Sequence, residues 1–296
     1  MPTDSEGVAR LYGNMAEYES TRLATHPMER ELTLRSIRHW LAASVSAPPT
    51  AASSSRRRIA DVGGGPGKLA FALADDGCHV DLVDLSPGLI ELARAEQQER
   101  AAAAAGSRPL LASIAVGNAL GGPPAALPQG SYDAVLLLGP LYHLLDEAER
   151  RRAVENACRL AKPRTGLVFC AFVSKEAHLR DIAVRDPARI VEQRDFYAKY
   201  LLDGHYQRSQ ASHPVQSFHT SSRYVRDFFA RHFVDTADLV ELRSTEGILG
   251  GGLDAKLVDA GDEIVQAWAD LLFEKYSVNE EHLGCADHLL AVLRRR

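Results

Sequence analysis

Apolar and polar positions along this chain switch between two periods. Short apolar runs at 58–62, 80–85, 110–116, 132–138 and 166–173 predict strands. Between them, apolar residues recur three and four apart, the spacing of a half-buried helix. A helix is predicted from 69–75 and a longer one over 87–105, with Ser86 as N-cap before Pro87. Another begins at Asp146-Glu147-Ala148-Glu149, which has capping-box spacing, and Ala153, Val154, Ala157 and Leu160 form its inward stripe. Strand–helix alternation of this kind predicts a parallel sheet covered by helices on both faces.

The flanks follow a different rhythm. Residues 5–24 read as a helix or broken helix, and 27–45 as a second, with Pro27 in its first turn and an apolar stripe of Leu32, Ile37, Trp40 and Leu41. Residues 47–55 (APPTAASSS) form a polar connector. After the fifth strand, 174–221 is rich in His, Tyr, Arg and Gln, and is expected as an insertion or lid above the carboxyl edge of the sheet. Alternation then resumes: a helix near 222–232, a strand near 233–242, a glycine-rich loop at 247–252, a helix near 255–276 and a last strand near 285–293. The expected division is an N-terminal helical cap and linker (1–55), a nucleoside-binding core (56–173), a cap insertion (174–221) and the C-terminal part of the core sheet (222–296).

Composition narrows the class. With 296 residues, 46% hydrophobic and 25% charged, the chain can bury a full core. A net charge of −5 argues against a general polyanion binder, so no nucleic-acid partner is expected. Cys78, Cys158, Cys170 and Cys285 are scattered in apolar surroundings without a C-x-x-C pair, so neither a zinc site nor a disulfide framework is expected. With no apolar leader or membrane-length run, a cytoplasmic protein is expected.

The candidate chemistry sits where strand one meets Gly63-Gly64-Gly65-Pro66-Gly67. Glycines let backbone N–H groups approach a ligand closely at the start of a helix. Strand two ends in Asp84, a carboxylate suited to a ribose diol. A P-loop does not fit, because only three residues separate Gly63 from Gly67, and Leu69, not Ser or Thr, follows Lys68. The dinucleotide pattern G-x-G-x-x-G starts well at Gly63 and Gly65, but its last glycine arrives one residue early.

A third reading fits throughout. Asp61, Gly63, Gly65 and Gly67 form D-x-G-x-G-x-G, and the chain here resembles the class I S-adenosylmethionine-dependent methyltransferases. Gly117-Asn118-Ala119, Tyr132-Asp133-Ala134-Val135 and Arg159-Leu160-Ala161-Lys162-Pro163 follow in that family's order, with Asn118 where Asp is usual. Gly139 to Leu144 spells Gly-Pro-Leu-Tyr-His-Leu, the mark of a bacterial and fungal subgroup whose N-terminal cap folds over the cofactor. The resemblance implies a seven-stranded, mostly parallel, doubly wound α/β sheet with an N-terminal helical cap and an insertion after strand five. It implies S-adenosyl-L-methionine as cofactor, held by Tyr12, Asp61, Gly63, Gly64, Gly65, Asp84, Leu85, Ser86, Asn118, Ala119 and Leu138.

Methyl transfer from a sulfonium is an in-line displacement needing no metal, and none is expected. His143, just past strand four, is the expected base, since imidazole titrates near working pH. Tyr142, His143, Tyr197, Tyr200 and His219 are the expected acceptor-side residues, and the loop Glu246-Gly247-Ile248-Leu249 could also line that pocket. The expected function is methylation of an oxygen or nitrogen on a small, specialised metabolite. A nucleic-acid or protein methyltransferase and a non-catalytic cofactor-binding regulator are the alternatives.

Overall fold

Strand β1 (Arg58–Val62) organises the sheet, because it pairs in parallel with β2 (His79–Asp84) on one side and β4 (Ala134–Leu137) on the other. The computed structural model describes Gly7 and residues 25–44, 56–103, 110–121, 127–208 and 215–296. Tyr12, most of the expected helix over 5–24 and the connector at 47–55 lie outside the described residues. β3 (Ser113–Val116) pairs with β2, and β5 (Leu167–Ser174) with β4, both in parallel. Beyond β5 the sheet turns antiparallel: β9 (His288–Arg295) pairs with β5, and β8 (Ala237–Ser244) with β9. The spatial order is therefore β3-β2-β1-β4-β5-β9-β8, the mostly parallel, doubly wound arrangement expected.

Both faces are covered, so the central strands carry apolar residues at every position rather than at alternate ones. In β5, Leu167 and Phe169 face α1 (Pro27–Ala43), α2 (Lys68–Asp75) and α3 (Pro87–Ala103), whose Leu34, Ile37, Phe71, Leu73 and Ile90 share their cluster. Val168, Cys170 and Phe172 face α4 (Glu147–Leu160) and the later helix α8 (Ser222–His232), through Ala153, Val154, Val225 and Phe228. Each of the two phenylalanines is 0–1% exposed, and such burial contributes roughly 1.5–3 kcal/mol per side chain. Asp146 caps α4 as its spacing predicts, its carboxylate accepting from Ala148 N–H at 2.7 Å.

The insertion after β5 consists of α5 (Lys175–Arg185), α6 (Arg189–Glu192), α7 (Arg194–Asp203) and a hairpin of β6 (His205–Arg208) and β7 (Val215–Thr220). Val173 and Ser174 at the end of β5 pair in parallel with His219 and Thr220, which seats the hairpin at the carboxyl edge of the sheet. The segment expected as one helix near 255–276 is broken. A short 3₁₀ turn (Asp254–Leu257) precedes Gly261, whose φ of +89° no helix tolerates, and only then does α9 (Asp262–Leu271) begin. Strand nine also starts later than expected, because Glu280–Cys285 closes into a 3₁₀ turn.

Candidate functional site

The strand tips of β1, β2 and β4 open onto one cleft of about 1420 Å³, its open mouth included. The glycine turn makes its floor. Gly63 leaves β1 with φ +80°, and its N–H donates to the Val83 carbonyl at 2.7 Å, which keeps the turn against β2. A Cβ on Gly63 would lie 2.5 Å from Cγ of Pro140, so no side chain fits between the turn and the loop after β4.

Two carboxylates stand beside this floor. Asp84 is buried, with Oδ2 accepting from Gly65 N–H and Oδ1 from Ser86 N–H, each at 2.8 Å. Burial pushes its pKa up, and those backbone donors oppose the rise. Asp61, 2% exposed, is pushed up to about 7 by burial and, secondarily, by the neighbouring Asp84 charge. Both carboxyls border the cleft, whose lining also includes the cations Arg30 and Lys68.

Every described residue expected to hold the cofactor lines the cleft: Asp61, Gly63, Gly64, Gly65, Asp84, Leu85, Ser86, Asn118, Ala119 and Leu138. Ser86 also caps α3, accepting from Leu89 N–H at 3.4 Å. The Asn118 side-chain oxygen accepts from Leu120 N–H at 2.8 Å, leaving it a second lone pair to offer a ligand. Asn156 fixes this loop by donating to the Ala119 carbonyl at 2.7 Å.

On the other wall, Tyr142 and His143 form a short 3₁₀ turn (Leu141–His143) that faces the same space. The buried Arg150 donates to the carbonyls of Leu144 and Leu145 at 2.5 and 2.9 Å while lying 3.6 Å from the Phe218 ring, so a stacked cation anchors the turn. His143 is buried, with Nδ1 3.4 Å from the Gln216 carbonyl. Burial lowers its pKa to about 4, so the ring is neutral at pH 7.

Three expected acceptor-side residues do not reach the cleft. Tyr197 and Tyr200 pack into the core of the insertion with Ile182, and His219 stacks on Tyr206 and lies edge-on to Tyr200 there. Their polar atoms are used there: Tyr200 Oη meets His219 Nδ1 at 2.8 Å, His219 Nε2 meets Ser217 Oγ at 2.9 Å, and Tyr197 Oη meets His178 Nε2 at 3.2 Å. In sequence, buried tyrosines with satisfied hydroxyls look the same as a pocket roof.

The cleft also contains residues that the sequence did not single out. Glu29, Arg30 and Thr33 come from α1, Thr245 from the end of β8, and His288 and Leu290 from β9. Glu246, expected on this side from its loop, is 3% exposed and bonded to His288. Period-two patterning in the last strand could have placed His288 and Leu290 on one face. Only the antiparallel return of β9 carries that face to the carboxyl edge.

Residues 59–164 match the family model of a methyltransferase domain. That match indicates the use of S-adenosylmethionine. No curated protein matches the sequence. Solved structures share the fold at low identity. A magnesium protoporphyrin IX methyltransferase from Synechocystis PCC 6803, solved with bound S-adenosylhomocysteine, is similar at TM-score 0.56 and 13% identity, over 99% of this chain and 100% of that one. A Haloferax volcanii methyltransferase solved with the activator Trm112 is similar at 0.54 and 16%, over 97% and 96%. The CcbJ methyltransferase of Streptomyces caelestis is similar at 0.50 and 16%, over 91% and 90%.

Proposed function

We propose that this protein transfers a methyl group from S-adenosylmethionine to an oxygen or nitrogen of a small molecule, with the cofactor lying across the glycine turn and the tip of β2. One observation carries the reading. Asp61 and Asp84 put two buried carboxyls at the turn, an environment that favours a sulfonium and an α-ammonium group over a pyrophosphate. Asp84 accepts from the ribose hydroxyls, and Leu85 and Ser86 lie beside the adenosine. Asn118 accepts from the adenine amino group, and Gly63, Gly64 and Gly65 give the methionine part its room.

The acceptor enters from the side of Tyr142 and His143. His143 lines that wall as a neutral imidazole whose Nδ1 faces the Gln216 carbonyl, and it orients the acceptor. A ring that takes up a proton only near pH 4 is a weak sink for that proton, which separates this role from the base expected of it. The half-enclosed cleft suits a specialised metabolite better than a duplex or a protein tail. Among the described residues, no helix is long and apolar enough to cross a membrane.

Calorimetry with S-adenosylhomocysteine and with NAD, followed by transfer of a labelled methyl group to a panel of phenols, alcohols and amines, tests the proposal. Binding of the homocysteine nucleoside alone, with a labelled small product, is expected. Salt-sensitive labelling of tRNA, or of a peptide, would replace the small-molecule assignment. Cofactor binding without any product across the panel would favour a regulator.

A further inference from the structure

The pairing of β8 with β9 brings Glu246 and His288 together at the carboxyl edge of the sheet, a contact that neither segment announces alone. We propose that they form a proton-handling pair on the acceptor side of the cleft, with His288 taking the acceptor's proton during methyl transfer and Glu246 holding the ring. This rests on the methyltransferase reading above.

The geometry is that of a carboxylate built around one imidazole. Glu246 Oε1 accepts from His288 Nδ1 at 2.7 Å and from the Thr245 hydroxyl at 3.1 Å. Its Oε2 accepts from the backbone N–H groups of Asp287 and His288, at 3.0 and 3.1 Å. Four donors on two oxygens use the carboxylate's full capacity and fix its orientation. Accepting from Nδ1 assigns the ring the Nδ1–H tautomer, which makes Nε2 its basic nitrogen. His288 stands on the cleft wall with Thr245 and Leu290, opposite Val173 at the end of β5. Ligands of open α/β sheets bind at that edge.

Glu29 brings Oε2 to 3.9 Å from the same Nδ1, and the ligand-type atoms of Glu29, Glu246 and His288 all lie within 4.8 Å of one another. That compactness would also suit a divalent cation. Such an ion would have to displace the Nδ1 proton from a carboxylate whose other donors already aim at its oxygens, so proton handling fits the observed bonding better.

For a hydroxyl acceptor the step balances. The oxygen lone pair forms the O–CH₃ bond as the C–S⁺ bond breaks, and that electron pair stays on sulfur, giving neutral S-adenosylhomocysteine. The O–H proton passes to Nε2, and the imidazolium formed is stabilised by the Glu246 carboxylate. His288 would be a catalytic residue in this step, and Glu246 a positioning residue.

The full chain labelled with ¹⁵N-histidine and saturated with S-adenosylhomocysteine tests the pair, with His288→Asn assigning the ring. An Nδ1–H signal that Glu246→Gln abolishes or moves to Nε2 is expected, with nucleoside affinity within about twofold of wild type. With any acceptor the labelled-methyl panel yields, both variants should lose about 10²-fold in kcat at little change in KM, and the wild-type pH limb should vanish. An unchanged tautomer in Glu246→Gln, turnover within threefold in His288→Asn, or Mn²⁺ broadening His288 in the wild type but not in Glu29→Gln would each overturn it. Failure of the wild type to bind the nucleoside at all would sink the methyltransferase reading instead, while the tautomer signal would persist.

Discussion

The Asp84 carboxylate accepts a hydrogen bond from the backbone N–H of Gly65 at 2.8 Å, which ties the tip of β2 to the glycine turn after β1. Its other oxygen holds Ser86 N–H, so one side chain shapes both walls of the proposed ribose site. Asp84→Ala leaves two backbone donors unmatched and removes the acceptor proposed for the ribose diol. Affinity for S-adenosylhomocysteine should fall by roughly 1–3 kcal/mol in calorimetry. An unchanged Kd would take Asp84 out of the site.

Cofactor affinity should depend on pH through Asp61. With no ligand its carboxyl takes up a proton near pH 7, because it is buried beside Asp84. A bound sulfonium or ammonium favours the ionised form, so protonation competes with binding. Affinity should therefore rise from pH 6 to 8, with proton release on binding near pH 7. Asp61→Asn should flatten that slope, as titrations in two buffers of different ionisation enthalpy would register.

Two glycines with the same backbone sign separate strain from contact. Gly63 and Gly77 have φ of +80° and +87°, but a Cβ on Gly77 meets nothing within 4 Å, whereas one on Gly63 runs into the Pro140 ring. Gly77→Ala should cost about 1–2 kcal/mol of conformational strain. Gly63→Ala should cost clearly more in urea denaturation, and should also weaken nucleoside binding by displacing the Tyr142–His143 turn. Equal losses for the two would mean that the loop after β4 yields.

Burial of His143 makes the fold sensitive to acid. Its folded-state pKa of about 4 lies below the unfolded value of 6.5, so the unfolded chain binds the proton more tightly. Stability is complete above pH 6.5 and is lost as pH falls from 6.5 towards 4, by up to about 3 kcal/mol from this ring alone. His178 and His219 are displaced in the same direction, chiefly by burial. His143→Gln should lose less stability between pH 8 and pH 5 than wild type does, as followed by denaturant midpoints.

Tyr200→Phe removes the hydroxyl that meets His219 inside the insertion. About 1 kcal/mol of stability should go. Nucleoside affinity should not change, since neither ring lines the cleft; a weakened Kd would return this cluster to the site.

The parts of the cleft lining that follow one another along the chain were legible in sequence. Gly63 to Gly67, Asp84 to Ser86 and Gly117 to Ala119 each stand at the end of a strand, and parallel pairing of β1, β2 and β3 brings strand ends together automatically. Tyr142 and His143 follow from the same rule at β4. Contacts across the antiparallel return were not legible. Glu246 and His288 meet only because β9 runs back along β5, and Glu29 joins them only because α1 packs over that face. Tyr197, Tyr200 and His219 misled in the opposite direction: aromatic and imidazole groups that satisfy each other in a small core carry the composition of a binding surface. Gly261 ended a helix whose apolar spacing read as continuous.

The most direct test of the central claim is a crystal structure of the full chain with S-adenosylhomocysteine. The ribose hydroxyls should lie within hydrogen-bonding distance of Asp84, the amino-acid end over Gly63 to Gly65, and sulfur facing Tyr142 and His143. A nucleoside bound elsewhere, or a cleft that admits a dinucleotide pyrophosphate against Asp61, would contradict it.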